Sequence, residues 1–521
     1  MGNSFSAIIV GLGRILRHKL YGIKDKPKAT LLTIPADVLD LVLHFIVTSQ
    51  PHQPFSHERS SNAALIPLSQ TCQEMRVNCC PWIFREVYTW QREEEVWPET
   101  LWSFFRTVHL RNRSIRHSAV ITLSSSLSSS LQHMPRLTRV TLRLKDDVIP
   151  SHMFEAISST PNLSSLEIYQ TRLDVIPTEK IEFPSLTTLV LRISGFEGVH
   201  RYPNINKTAE MNHISRLLAL LASRLESLTI SGDFLDPTEF KQNLWPSLRN
   251  FSATDHPPIP LVPITQLVTH MPVLKSLSAL YTTDFTSNLR PPFLLGRPSP
   301  PFLTETCPLL ASVSLSNIGI SDPIFLQLPS SIDELHLLAV RDSYGRGQRR
   351  PRRRDPITSP LSIRNATTLL SILPKFDQLQ KLTVMFSTIL MPEFVLAAAA
   401  KFRHLTSLHL TQTLEIVEHL IPLFDIRHEE TIDALRLFPL LKELKLTIDD
   451  QGGTPYRGVP NEPAYQLFCC LPGLQTIGIL WKVDEHEDAS VWDYWDRSML
   501  SEPKPESLPD FFAFMRDGMR L

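Results

Sequence analysis

The stretch Pro184-Ser185-Leu186-Thr187-Thr188-Leu189-Val190-Leu191 decides the fold, because most of the chain repeats its pattern. An apolar residue stands two places after a proline, and further apolar residues come three and five places later. Close copies begin at Pro161, Pro308, Pro439 and Pro472, and weaker copies begin at Phe105, Leu137, Leu225, Leu248, Leu274, Ile332, Leu379 and Leu405. The 13 units are spaced 22 to 47 residues apart, which indicates a repeat architecture.

Each unit predicts a strand with one apolar face. Leu189 and Leu191 are two residues apart and point to one side, whereas Thr188, Val190 and Arg192 point to the other. Helical patterns precede most units, at 211–223, 264–271, 366–376, 393–402, 432–438 and 464–471. The array resembles a leucine-rich repeat solenoid, an α/β fold with parallel strands on the concave face and helices outside.

Composition limits the classes of function. The 521 residues carry 52 basic and 53 acidic side chains, a balance that argues against a nucleic-acid-binding protein. The six cysteines form no paired C-x-x-C motif, so we predict no metal site and a reducing intracellular compartment. No apolar run is long enough to cross a bilayer.

Residues 1–30 form a basic leader. Met1-Gly2-Asn3-Ser4-Phe5-Ser6 matches the pattern for N-myristoylation, which makes Gly2 a candidate lipidation site. Basic residues follow an apolar stretch, and one acyl chain with a basic patch predicts weak membrane association. The alternative is a leader without a lipid. A Gly2→Ala variant with an unchanged cellular distribution would remove the membrane hypothesis.

Residues 31–90 predict a small domain of three helices, at 32–46, 65–76 and from Pro81 onwards. Thr33 can cap the first helix and Pro35 suits its first turn. With its Ile34-Pro35 pair, Thr71-Cys72-Gln73-Glu74-Met75 and Pro81-Trp82-Ile83-Phe84-Arg85-Glu86-Val87, this segment resembles an F-box. The second stretch departs from the family pattern at Gln73 and Met75.

The resemblance implies an adaptor role. F-box segments bind the Skp adaptor of a cullin–RING (SCF) ubiquitin ligase, while the repeats hold the protein to be ubiquitinated. By this analogy the adaptor-binding residues are Ile34, Pro35, Val38, Leu39, Val42, Leu43, Ile46, Leu68, Cys72 and Trp82. The same side chains could instead form the internal core of the three helices, and such segments do both.

Residues 91–480 are predicted to be the solenoid, and its strand positions that point away from the core are the candidate target-binding face. These positions are small and hydroxyl-rich in the middle and charged at the ends. The candidate target-binding residues are Arg139, Arg143, Glu167, Tyr169, Arg192, His336, Lys381, His409 and Lys445. Nothing in the pattern names the target.

Two further segments are marked by charge. Residues 341–356 hold five arginines between Arg349 and Arg354, which predicts an exposed, disordered loop. The loop would be a nuclear import signal, a patch for an acidic partner, or a solvated insertion. Residues 481–521 are acidic and aromatic, and they are predicted to cap the last repeat.

No catalytic motif accompanies the repeats, so we predict a protein that is not an enzyme and needs no cofactor. The first hypothesis is a substrate receptor of a ubiquitin ligase in the cytoplasm or nucleus, with a protein target and no nucleic acid. The alternative is a leucine-rich repeat scaffold without a ligase role, tethered to a membrane by Gly2 acylation. Only the F-box resemblance supports the first over the second.

Overall fold

A computed structural model describes Leu39, Leu43 and the ranges 65–70, 73–90, 98–111, 125–144, 148–173, 181–193, 207–282, 302–338, 363–386, 392–412, 429–448, 462–481 and 491–497. Its contacts divide the chain into two compact units. The first comprises residues 1–87 and 97–107, and the second comprises residues 88–96 and 108–521. The predicted domain boundaries at 31–90 and 91–480 stay predictions.

The first unit is helical. Helix α1 spans Leu65–Ser69 and helix α2 spans Gln73–Ile83, and the isolated residues Leu39 and Leu43 are also helical. The prediction of a separate helix from Pro81 onwards is wrong: Pro81 lies inside α2, and Glu86–Trp90 is strand β1. Valine, tyrosine, threonine and tryptophan in β1 favour extended backbone, which explains the change.

The strands form one sheet, and within the described residues their order is sequential from β1 to β15. After β1 they are β2 Thr107–Arg111, β3 Arg139–Arg143, β4 Ser165–Tyr169, β5 Thr188–Arg192, β6 Ser227–Ser231, β7 Asn250–Asp255, β8 Ser276–Tyr281, β9 Ser312–Ser316, β10 Glu334–Leu338, β11 Lys381–Phe386, β12 Ser407–Gln412, β13 Glu443–Ile448, β14 Thr476–Trp481 and β15 Val491–Asp496. Neighbouring strands from β3 to β14 are parallel. Strand β15 pairs antiparallel to β14.

Alternation along each strand produces the core. In β5, Leu189 and Leu191 are fully buried, Thr188 and Val190 are half-buried, and Arg192 is exposed. Because the register pairs equivalent residues, the buried leucines stack from strand to strand; Leu189, for example, lies between Leu166 and Leu228. Stacking supplies the apolar contacts that a single unit lacks.

A second ladder joins the turns before the strands. One carbonyl of each unit accepts hydrogen bonds from two successive backbone N–H groups of the next. The oxygen of Ser164 accepts from the nitrogens of Thr187 at 3.0 Å and Thr188 at 2.9 Å, and the oxygen of Thr187 accepts from Glu226 and Ser227. The same arrangement continues to the turn before β14. It satisfies backbone groups that would otherwise be buried without partners.

The second unit has a helix at each of the six predicted ranges, and it has further helices that the sequence analysis did not predict. They are α3 Ser125–Gln132, α4 Ser151–Ser158, α5 Lys207–Leu221, α6 Pro237–Phe240, α7 Ile264–Leu267, α8 Leu303–Thr306, α9 Ile363–Ile372, α10 Pro392–Lys401, α11 Glu429–Arg436 and α12 Glu462–Cys470. In α5 the predicted apolar stripe, Ile214, Leu217, Leu218 and Leu221, is buried. A short 3-10 helix at Gly232–Phe234 precedes α6, and another at Pro323–Leu326 takes the place of an α-helix between β9 and β10.

The end of the sheet is fixed to the preceding helix. Arg497 follows β15, and its guanidinium donates to the carbonyl oxygens of Phe468 and Leu471, the latter at 3.2 Å. These carbonyls stand at the end of α12, where backbone oxygens lack helical partners. The guanidinium also lies 5.4 Å from the centre of the Phe468 ring.

The prediction of an α/β leucine-rich repeat solenoid is confirmed for the second unit, with parallel strands and a helix or helical turn in most connections. Among the described residues, no helix has the length and apolarity needed to span a membrane.

Candidate protein-binding face

The open face of the sheet consists of the first, third and fifth residues of strands β3 to β14. The register aligns them in three rows, so that Arg139, Ser165 and Thr188 share the first row, and Arg143, Tyr169 and Arg192 share the fifth. All nine residues predicted to bind the target stand in these rows. The structure separates them into two groups: five lie on β3 to β5 and four lie on β10 to β13. Their role in binding stays a prediction.

The first group is dominated by arginine. Arg139 and Arg143 are exposed at the two ends of β3, and the Nε atom of Arg139 lies 3.7 Å from Oε1 of Glu167 on β4. The hydroxyl of Tyr169 donates to Oε2 of Glu167 at 3.4 Å. Burial raises the pKa of Tyr169, and the charge of Glu167 raises it further, against the opposing effect of Arg192 and Arg139.

Arg192 is held by a carboxylate two strands away. Its Nη2 atom lies 3.2 Å from Oδ1 of Asp255, the last residue of β7. Asp255 is buried and accepts hydrogen bonds from the hydroxyls of Ser231 at 2.7 Å and Thr254 at 2.9 Å. Its φ angle is 64°, in the left-handed region where asparagine and aspartate are tolerated better than most residues.

Three neighbours of this group were not predicted. Tyr88 of β1 stacks on His109 of β2, with ring centres 4.4 Å apart, and the guanidinium of Arg111 lies 5.0 Å from the centre of the Tyr88 ring. Burial, and then the charges of Arg111 and Arg139, lower the pKa of His109 to about 4. The alternation of Thr107, His109 and Arg111 after Phe105 was a usable signal for β2, but β1 carries no repeat pattern.

The middle of the open face is lined by small hydroxyl side chains. In β6, β8 and β9 the first and third positions are serine or threonine, as predicted. They are half-buried, and the register aligns Ser276 with Ser312 and Ser278 with Ser314. Such side chains leave room for a partner's backbone to approach the sheet.

His336 and His409 of the second group belong to a hydrogen-bonded chain that crosses five strands. Oε2 of Glu334 accepts from Ser312 at 3.2 Å and lies 3.4 Å from Nε2 of His336. Nδ1 of His336 lies 2.8 Å from the Thr383 hydroxyl, which lies 3.4 Å from Nδ1 of His409. The chain continues from Nε2 of His409 to Ser407 at 3.0 Å, and from Ser407 to Glu443 at 2.7 Å.

A single proton limits the centre of this chain. The Thr383 hydroxyl has one proton and can donate to only one of the two imidazoles. Nε2 of His336 lies 3.4 Å from Glu334, and Nε2 of His409 lies 3.3 Å from Glu443. A neutral imidazole has one N–H, so a ring that keeps its proton facing the carboxylate leaves its Nδ1 atom as an acceptor. If both rings do so, Thr383 can donate to only one of the two Nδ1 atoms.

The histidine and glutamate side chains at this end of the open face have shifted pKa values. Burial and then Lys445 lower the pKa of His409 to about 4, and burial lowers the pKa of His336. Burial alone would raise the pKa of Glu443, but hydrogen bonds from Ser407 and Lys445 and the nearby positive charges lower it to about 2. Since His409 is neutral at neutral pH, Ser407 and Lys445 are the groups that keep Glu443 ionised.

Lys445 lies between Glu443 and Tyr494 at this end of the open face. Its Nζ atom lies 2.9 Å from Oε1 of Glu443 and 5.3 Å from the centre of the Tyr494 ring on β15. Gly478 stands between the two in the register, and a Cβ there would lie 2.9 Å from Cγ of Lys445. The glycine therefore makes the space in which the lysine crosses to the aromatic ring. Neither Tyr494 nor β15 was predicted to join the sheet.

The predicted adaptor-binding residues are described only in part. Leu39 and Leu43 are 5 % and 1 % exposed, and they form a core with Leu65, Met75 and Cys79, against which Trp82 packs. This is the alternative role that the sequence left open for them. Leu68 lies in α1, but its side chain is outside the described residues, as are Gly2, Ile34, Pro35, Val38, Val42, Ile46, Cys72 and the loop at 341–356. Two apolar residues that were not predicted, Ile66 and Val77, are exposed on α1 and α2.

Within the described parts of the chain, no group of three or more histidine, cysteine, aspartate or glutamate residues could hold a metal ion. The open face offers hydrogen-bond donors, carboxylates and guanidinium groups along successive strands. These groups are suited to holding an extended polypeptide, with charged contacts at the two ends and close backbone approach between them.

No protein-family model matches the chain, and the search of curated proteins finds no match. Solved structures with similar folds include the leucine-rich repeat-containing protein LegL7 from Legionella pneumophila, 14 % identical over 63 % of this chain and 87 % of that one, with a TM-score of 0.27. A leucine-rich repeat protein from Leptospira interrogans is 13 % identical over 76 % and 96 %, with a TM-score of 0.25. The yeast complex of Rad7 and Elc1 contains a chain 11 % identical over 94 % and 96 %, with a TM-score of 0.33. These similarities concern the fold alone.

Proposed function

We propose that this chain is a non-catalytic substrate receptor of a cullin–RING ubiquitin ligase. In this proposal the helical unit binds the Skp adaptor, and the open face of the repeats binds the target protein. The observation that carries the proposal is a helical unit with its own apolar core directly before the repeats, in the segment that resembles an F-box.

The surface of the helical unit supports an adaptor contact. Val77 is 62 % exposed and Ile66 is 43 % exposed, although both lie on helices that also carry the buried residues Leu65, Met75 and Cys79. These two side chains are the candidates for an apolar contact with the adaptor, and they can be compared with equally exposed apolar residues of the solenoid such as Leu326. The burial of Leu39 and Leu43 means that their replacement would remove the core as well as any contact, so neither tests the adaptor role cleanly.

The decisive experiment is a binding measurement between the full-length chain and purified Skp adaptor. We expect micromolar or tighter binding, weakened by Val77→Asp, because a carboxylate would be forced into an apolar contact. Leu326→Asp is the matched control: Leu326 is also 62 % exposed but lies in the solenoid, and its replacement leaves binding unchanged.

Absence of binding by the folded wild-type chain would overturn the proposal. The protein would then be a leucine-rich repeat scaffold, the second hypothesis drawn from the sequence. Binding that survives Val77→Asp would move the contact to the predicted residues of the first helix, for which Pro35→Ala is the next variant. Acylation of Gly2 and import through the arginine loop are separate predictions that this measurement does not touch.

A further inference from the structure

Four arginines gather at one end of the open face. Arg143 and Arg192 occupy the fifth row on β3 and β5, with Tyr169 between them in the register. Arg111 ends β2 as Arg143 ends β3, and Arg139 begins β3. Neighbouring strands are about 4.8 Å apart, so Arg143 and Arg192 start about 10 Å from each other, and Arg139 starts about 13 Å from Arg143 along β3. We refer to Arg111, Arg139, Arg143 and Arg192 as the arginine patch.

Three of the four guanidinium groups are anchored on one side and open on the other. Arg192 contacts Asp255 through Nη2, and Arg139 approaches Glu167 through Nε, while their side chains remain 45 % and 55 % exposed. Arg111 lies over the Tyr88 ring. A guanidinium has N–H donors on several sides, so each anchored group keeps donors directed away from its anchor. Anchoring also reduces the entropy that a bound ligand must overcome.

Strands β1 to β9 carry three carboxylates, those of Glu86, Glu167 and Asp255, against the four arginines of the patch. Within strands β2 to β5 the only acidic residue is Glu167, against four arginines. Within β6 to β9 the only charged residue is Asp255, which already accepts from two hydroxyls as well as from Arg192. The depressed pKa of His109, to which Arg111 and Arg139 contribute, is consistent with a positive potential at this end.

We propose that the arginine patch binds an acidic segment of the target protein. Carboxylate side chains of the segment pair with the guanidinium groups, which match a carboxylate with two parallel N–H···O bonds. The backbone of the segment continues over the small serine and threonine side chains at the first and third positions of β6, β8 and β9. The inference rests on the proposed function, since it names the kind of target that the open face receives.

The test uses the full-length chain and a fluorescent peptide of about ten glutamates, with fluorescence anisotropy as the readout. We expect binding that weakens steeply as the salt concentration rises, because the contacts are between charges at an exposed surface. A glutamine peptide of equal length is expected not to bind. Arg143→Gln combined with Arg139→Gln should weaken binding of the glutamate peptide at least about tenfold, since charge-assisted hydrogen bonds are lost.

The matched control is the pair Lys381→Gln and Lys445→Gln, which removes two positive charges from the open face at its other end. Equal loss of affinity in both double variants would overturn the proposal, because attraction would then depend on net charge alone. Preference for an oligo-thymidine strand over the peptide would also overturn it. A peptide with phosphoserine in place of glutamate distinguishes phosphate from carboxylate as the bound oxyanion, and tighter binding that depends on Arg143 would support the patch as its site.

Failure of this inference can be told apart from failure of the proposed function. Adaptor binding without peptide binding would remove the acidic target and leave the receptor role standing. Peptide binding without adaptor binding would keep the patch and make the protein a scaffold for acidic partners.

Discussion

Both ends of the open face carry charged and polar side chains, but the two ends differ in how many of these groups are already bound to one another. At the arginine end, guanidinium groups are anchored once and keep donors free for a partner. At the histidine end, six side chains bind one another in a chain: Glu334, His336, Thr383, His409, Ser407 and Glu443. His109 and His409 both have a pKa lowered to about 4 by burial and neighbouring cations. The comparison teaches that polar composition does not measure binding capacity; what counts is how many donors and acceptors are already used.

The largest expected effect is the loss of stability when a core leucine is removed from one end of the sheet or the other. Leu408→Ala and Leu166→Ala each remove a fully buried side chain, from β12 and β4. Each should lower the free energy of unfolding of its own region by about 2–5 kcal/mol. Repeats contact mainly their neighbours, so we expect hydrogen exchange to quicken in β11 to β13 for Leu408→Ala and in β3 to β5 for Leu166→Ala. Equal loss of protection along the whole sheet in both variants would contradict this.

The next effect concerns the anchor of the arginine end. Asp255→Ala removes the acceptor for Ser231, Thr254 and Arg192 and places alanine at a positive φ. Unpaired polar groups and the backbone strain together should lower the free energy of unfolding by about 1–3 kcal/mol, measured in urea. Asp255→Asn is the control, since asparagine keeps an acceptor and tolerates this backbone. Equal losses in the two variants would exclude the hydrogen-bonded anchor as the cause.

The smallest effect is a pH dependence at the histidine end. The pKa of His409 is about 4 in the folded chain against an ordinary value of 6.5, so the unfolded chain binds more protons between these values. Stability therefore falls as the pH is lowered from 6.5 towards 4, by on the order of 1 kcal/mol down to pH 5 for this group. We expect His409→Asn to show a correspondingly smaller loss between pH 7 and pH 5 in urea unfolding. His404→Asn, at an exposed position before the same strand, should follow the wild type.

A further measurement tests what lowers the pKa of His409. Lys445→Met removes a positive charge beside His409, so the pKa of His409 should rise when followed by NMR. A pKa that stays unchanged would assign the whole shift to burial. The variant also loses the contact with the Tyr494 ring, which contributes about 0.5–1 kcal/mol at exposed sites.

The repeat strands could be predicted from the sequence because their information is local. A leucine at every second position marks a strand, and the proline before it marks the turn, so that the units from Phe105 to Leu474 all begin strands in the structure. Strands β1 and β15 lack the leucine pattern, and both were missed. Their extended backbone depends on pairing with a neighbour, which is a property of the sheet and not of the segment.

The candidate site could be predicted only as a list of positions. The sequence placed His336 and His409 on the open face, but 47 residues separate the units at Ile332 and Leu379, and the pattern gave no register across that gap. In the structure β10 and β11 pair directly, and His336 is aligned with Thr383. Because of that register, the hydroxyl of Thr383 lies close to both His336 and His409. The anchoring of Arg192 by Asp255 was equally hidden, since the two residues are 63 positions apart.

The reversed direction of β15 has a consequence for self-association. A stack of parallel strands offers an edge on which the first strand of another copy could continue the same pattern, and such head-to-tail contacts grow into filaments. Here β15, the last described strand of the sheet, runs antiparallel to β14, and Arg497 fixes its end to the carbonyls of α12. A strand of another copy that continued the direction of the array would run antiparallel to β15, so it could not repeat the parallel register that joins the repeats to one another. Strand β15 thus interrupts the pattern on which head-to-tail stacking of copies depends.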